Sequence, residues 1–144
     1  MKTLTLLLTL LILGGNVWAE SDVPVQTIVL EAGNQGYEGM LAVAEVIRNR
    51  AVLKGIPPDE VCMTPFQFSC WNSALKAKNK LSKVSAETWN TAQRAWQTAN
   101  IDQTDTVNGA DHYYAYKMLK YLPAWAGKME RVAKVKDHVF FREG

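Results

Sequence analysis

Glu31 stands at the end of an apolar run, Val25 to Leu30, immediately before a glycine-broken turn, Gly33-Asn34-Gln35-Gly36. A carboxyl group held against apolar surface at a chain break is disfavoured in its charged form, so it can stay protonated near neutral pH. Cleavage of a glycosidic bond needs such an acid. The plainer reading of this position is a helix-end glutamate that solvates its turn. Elsewhere the chain supplies rings and amides: Gln67, Phe68, Ser69, Trp71 and Asn72 in one run, His112, Tyr113 and Tyr114 in another, and Trp125. Sugars present apolar faces edged with hydroxyls. A sugar groove therefore needs flat rings to stack on and polar side chains to orient the ligand.

Two other chemistries compete. Cys70 with His112 or His138 as base would make a thiol nucleophile, but no local cysteine-peptidase signature surrounds Cys70, and Cys62 lies eight positions upstream. Asp111, His112 and His138 are candidate metal ligands without the compact spacing of a helical metal motif. His138 precedes an apolar run, where a histidine is more often structural. No metal or other cofactor is expected.

The elements that must position these residues follow from periodicity. Val25 to Ala32 reads as a short helix delivering Glu31 at its C-terminal end, and Gly33 to Gly36 breaks it. From Tyr37 to about Leu53, Met40, Val43, Ala44, Ile47 and Ala51 recur at helical spacing. Leu41, Ala42 and Val46 add a second apolar flank, so this helix is expected to be buried on most sides. Gly55 and Pro57-Pro58 end it. Asp59 to Trp71 lacks a period and reads as an ordered loop. Ser85 caps a helix running to about Ala99, with Trp89, Ala92, Trp96 and Ala99 on one stripe. Asn108-Gly109 marks a turn. His112 to Tyr116 and His138 to Phe141 are aromatic and β-prone, and should form a small antiparallel pair.

Length and charge narrow the class. The chain has 144 residues, room for one domain. Met1 to Ala19 reads as an export signal: Lys2, an apolar stretch from Leu4 to Leu13, Gly14-Gly15, and small residues at Val17 and Ala19. That stretch falls short of the ~20 residues that span a bilayer, so the mature protein, 20–144, is expected not to span the membrane. Without Lys2 the chain carries 15 basic and 14 acidic side chains, which is no nucleic-acid signature. Lys76, Lys78, Lys80 and Lys83 form a local basic patch, read first as a solvated face. In an oxidising compartment, Cys62 and Cys70 are expected to form a disulfide, worth roughly 2.5 kcal/mol for so short a loop.

Taken in order, these blocks resemble the SleB-type cell wall hydrolases. The family's Glu-Ala, short turn, Tyr-x-Gly and apolar helix ending Asn-Arg stands here as Glu31-Ala32, Tyr37-Glu38-Gly39, Ala42-Val43-Ala44, Val46 and Asn49-Arg50. Gln67-Phe68-Ser69 with Trp71 matches a second block. His112-Tyr113-Tyr114, Pro123-Ala124-Trp125 and His138-Val139-Phe140-Phe141 match a third. The chain departs from the family at its turn, which usually reads Arg-Gly-Glu-Pro, and at Met40 and Glu45. The resemblance implies a compact, mainly helical α+β domain of lysozyme-like type with a small antiparallel β element. It implies cleavage of peptidoglycan between N-acetylmuramic acid and N-acetylglucosamine by lytic transglycosylase chemistry, with Glu31 catalytic. Gln67, Phe68, Ser69, Trp71, His112, Tyr113, Tyr114 and Trp125 would then bind the glycan, and the expected form is an exported monomer in the periplasm or cell wall. Hydrolysis with Glu38 or another carboxylate, an inactive wall-binding protein and a Cys/His peptidase are the alternatives.

Overall fold

The computed structural model describes residues 22–117 and 120–144. The export segment expected over 1–19 lies outside the described residues. The first helix, α1 (Val23–Ala32), starts where the Asp22 side chain accepts the Val25 N–H at 3.3 Å. Val25, Ile28, Val29, Leu30 and Ala32 are all buried, so Glu31 emerges from a helix embedded on nearly every side.

The chain turns sharply and re-enters a helix at Gly36, whose φ of 68° suits glycine. This is α2 (Gly36–Lys54), the central helix. Its C-cap, Gly55, is left-handed with φ 63° and returns its N–H to Ala51 and Val52. Two cores explain the double apolar flank seen in its sequence. Met40, Val43, Ala44 and Ile47 pack with α1 and with α5 (Ala86–Ile101). Ala42 and Val46 pack with Val107, Ala110 and Phe140 beneath the sheet. The helix α5 begins at Ser85 as expected, its hydroxyl accepting the Thr88 N–H at 3.2 Å. Ala92, Ala95 and Ala99 are fully buried, and such small side chains let α5 lie close against α2.

Two short helices escape the periodicity argument. Within the expected loop the chain forms α3 (Pro58–Met63) and a 3-10 turn (Ser69–Trp71), followed by α4 (Ala74–Leu81). Pro58 and the acidic Asp59 and Glu60 favour the start of α3, but one and a half turns carry no readable period. On α4 (ALKAKNKL) only Ala77 is buried, and its apolar residues alternate with lysines over barely two turns.

The sheet is antiparallel, in the order β1 (His112–Ala115), β3 (His138–Arg142), β2 (Glu130–Val135). The expected pair exists, with His112 opposite Phe141 and Tyr113 opposite Phe140. The added edge strand β2 has its register broken between Arg131 and Ala133, which spoils the alternation that marks a strand. With neighbours on both sides, His138 to Phe141 are buried. The molecule is thus a mainly helical α+β domain with a small antiparallel sheet. Among the described residues no helix is long and apolar enough to cross a membrane.

Candidate active site

Glu31 reaches from the end of α1 into a cleft of about 1190 Å³ between the helices and the sheet. One carboxylate oxygen accepts the Tyr113 hydroxyl at 2.7 Å. The other accepts the Cys70 backbone N–H at a long 3.4 Å. Tyr113 comes from β1 and Cys70 from the 3-10 turn, so three separate elements converge on one carboxyl group. Burial and the adjacent Glu31 carboxylate push the Tyr113 phenol well above its ordinary pKa, which keeps it a hydrogen-bond donor throughout the physiological range. The ring of His138 stands edge-on to Tyr113 with centroids 5.0 Å apart. Burial lowers its pKa, so the imidazole is neutral at pH 7 and adds no cation beside Glu31.

The end of α2 holds the sheet at this distance. Arg48 donates to the carbonyls of Ala99 (2.7 Å) and Thr104 (2.6 Å), and Asn49 donates to that of Ala110 at 2.8 Å. Arg50, almost fully buried, donates to Asp111 at 2.6 Å and Gln67 at 2.8 Å. Its guanidinium also lies 4.6 Å from the centre of the Phe68 ring. Three consecutive side chains thereby fix the segment that leads into β1 and tie it to the wall carrying Cys70. At the cleft's far edge, Gln35 exchanges two hydrogen bonds with Asp137, at 3.2 and 3.0 Å, joining the turn after Glu31 to the β2–β3 turn. Gly39 permits this clasp, because a Cβ there would lie 2.3 Å from the Gln35 side chain.

The cell wall hydrolase family model matches residues 34–141, three quarters of the chain, beginning just after Glu31. The chain belongs to the cell wall hydrolase family. It is an enzyme that acts on peptidoglycan. Its fold is similar to two solved structures, each with a TM-score of 0.63, 20% identity and 90% of this chain covered. One is the catalytic domain of the germination-specific lytic transglycosylase SleB from Bacillus anthracis, of which 98% is covered. The other is the catalytic domain of the Bacillus cereus SleB protein, of which 94% is covered. No curated protein matches the chain.

In this cell wall hydrolase the residues expected to bind glycan divide. Ser69, Tyr113 and Tyr114 line the cleft with Glu31. Gln67 and Phe68 do not: the Gln67 side chain meets Lys54 at 2.9 Å, and Phe68 is buried under Arg50. Trp71 donates its indole N–H to Thr27 at 2.9 Å and lines a neighbouring hollow instead. His112 and Trp125 pack together, 5.0 Å between centroids. Trp125 also meets Tyr114 and Phe141, so this aromatic group supports the sheet. Asn34, Gln35, Asp137 and His138 line the cleft although sequence reasoning assigned them no sugar contact. The position of Asn34 and Gln35 next to Glu31, and the place of His138 in the third block, were the signals available for them.

Both cysteines are free, which corrects the expected disulfide. Each thiol has another neighbour. Cys62 is buried in the core and hydrogen-bonded to Thr27, with burial pushing its pKa up to about 12. Cys70 points to Glu31, and burial together with that carboxylate raises its pKa further. A reactive thiolate needs the opposite, an electropositive and accessible setting, so the peptidase arrangement is not formed. Nor do the candidate metal ligands converge. His112 pairs with Phe141 at one end of β1, whereas His138 pairs with Ala115 at the other, and no metal-binding group of His, Cys, Asp or Glu occurs among the described residues.

Proposed function

We propose that the enzyme cuts the peptidoglycan glycan strand between N-acetylmuramic acid and N-acetylglucosamine as a lytic transglycosylase, with Glu31 as its one acid–base group. The observation carrying this reading is that Glu31 is the cleft carboxyl group on which Tyr113 and the Cys70 N–H converge, whereas the other carboxylates of the region are committed elsewhere. Glu38, the partner suggested by sequence, is exposed and lies 3.4 Å from Lys136. Glu45 is fully buried, accepting from Thr106 at 2.7 Å and Val107 at 3.2 Å. Asp137 lines the cleft but is held by Gln35 and lies 3.6 Å from Lys117. Such a site suits a reaction whose nucleophile belongs to the substrate. Glu31 gives its proton to the glycosidic oxygen, an oxocarbenium-like species develops, and the carboxylate then takes the proton of the muramic acid's 6-hydroxyl as that oxygen closes the anhydro ring. Tyr113 fixes the carboxyl group's orientation, and Ser69 and Tyr114 contact the sugars. The solved relative named as a lytic transglycosylase supports the same chemistry. An extracellular or periplasmic enzyme fits a substrate outside the cytoplasm, with 1–19 as its export signal, 20–144 as the catalytic domain and a monomer as the working unit.

Asp137 favours one second reading. The Gln35 amide and Lys117 lower its pKa, so it is ionised and could serve a hydrolase as its second carboxylate. Mass spectrometry of sacculus digests separates the two. Anhydro products, one water lighter than hydrolytic ones, are expected from the wild type and from Asp137→Asn alike. Borohydride-reducible ends, lost together with activity in Asp137→Asn, would establish hydrolysis instead.

A further inference from the structure

The basic patch seen in the sequence does not face solvent uniformly. Lys80 and Lys83 line the cleft that holds Glu31, and Lys78 lines a second hollow of about 480 Å³ with Trp71, Leu81, Ser82 and Trp89. The two hollows share Val84, so the second adjoins the first beside α4 and the start of α5. Its lining contains no acidic side chain. In the cleft only Glu31 and Asp137 are acidic, and Asp137 is engaged by Gln35 and Lys117. None of the ion pairs among the described residues involves Lys78, Lys80 or Lys83. Lys80 has a structural task, donating to the Leu30 carbonyl at 2.8 Å, where it satisfies a carbonyl at the end of α1. Lys78 and Lys83 have no such task.

We infer that this side hollow receives the stem peptide of peptidoglycan, with Lys78 in the hollow and Lys83 on the adjoining cleft wall pairing to the peptide's carboxylates and the apolar wall taking its methyl-bearing residues. The inference rests on the glycan-cleaving function proposed above, which puts a muramic acid beside Glu31 and its peptide at the cleft's edge. Where a stem is attached, the lactyl carboxyl of muramic acid is tied up as a neutral amide, so the glycan there offers only neutral hydroxyls and N-acetyl groups and the free carboxylates belong to the peptide. A short acidic peptide supplies both the charge and the apolar surface. The enzyme therefore prefers strands whose stems are free acids.

Binding tests this separately from cleavage. The full chain carrying Glu31→Gln is bound to insoluble sacculi, either native or with stem carboxylates converted to methylamides. Binding to native sacculi should be roughly three- to tenfold tighter, as two exposed ion pairs allow, and the difference should shrink with salt. Lys78→Gln with Lys83→Gln, two exposed changes expected to leave the melting temperature unchanged, should bring native and methylamidated sacculi level. Equal binding of the parent to both would overturn the inference. Such equality would also be the result if the lysines served phosphodiester wall polymers, whose charge methylamidation leaves intact. A double variant that loses affinity for both sacculi alike would overturn it too. Failure of the wild-type enzyme to release glycan fragments would remove the proposed function, while the binding comparison would still report on the hollow.

Discussion

At the scale of single residues, Glu31 and Tyr113 form the contact on which the proposed chemistry depends. Glu31→Gln keeps the shape of the side chain and its backbone helix but has no acidic proton. Lysis of sacculi, followed as loss of turbidity, should fall by at least ~10²-fold with an unchanged melting temperature. Tyr113→Phe removes only the 2.7 Å hydrogen bond to Glu31. A hydrogen bond is worth about 0.5–1.5 kcal/mol, so kcat should drop roughly two- to tenfold with KM little changed. Equal activity in Tyr113→Phe would mean that the carboxyl group is oriented by something else. Its place at the end of an apolar run made Glu31 only a candidate, and the resemblance of the Glu31-Ala32 block to the SleB-type pattern singled it out. Sequence reasoning found Tyr113 only as one of several aromatics, because alternation along β1 does not say which face meets α1.

At the scale of elements, the end of α2 acts as a clamp and β3 as a buried spine. Arg50 spans the Asp111 and Gln67 carbonyls across two walls. Arg50→Met would leave both acceptors without this donor and should cost about 2–4 kcal/mol, read as a lower urea midpoint at a similar slope. His138 gives β3 a pH dependence. Its folded pKa lies below the ordinary 6.5, so the unfolded chain takes up the proton more readily. The stability this group contributes is full above about pH 6.5 and is lost as pH falls through that value towards the lower folded pKa. Urea midpoints at pH 7.5 and 5.5 should therefore differ more for the wild type than for His138→Gln, and identical differences would mean that burial of the imidazole carries no such cost. The long helices were legible because α2 and α5 repeat their apolar residues over several turns. The short α3 and the lysine-rich α4 were not, since six and eight residues repeat a stripe too few times to be read against the surrounding loop.

At the scale of the whole molecule, the two cores meet along α2, and both cysteines belong to the helical core or its edge. Iodoacetamide should therefore leave the native protein unmodified at pH 8 and label two thiols only through the global unfolding transition, with circular dichroism and labelling coincident. A protein that yields no thiols after denaturation without reductant would restore the bridge. Legible in the sequence were a mainly helical domain, a glutamate at a helix end, a break beginning at Gly33 and two aromatic, β-prone segments. Each of these is set by neighbours close in the chain or by repetition along it. Packing in three dimensions settles which aromatics line the cleft and which prop the sheet, that Cys70 meets Glu31 rather than Cys62, and that part of a basic patch borders the site. Those outcomes depend on α2 placing segments from distant parts of the chain against one another, and distance in space between such segments leaves no period in the sequence.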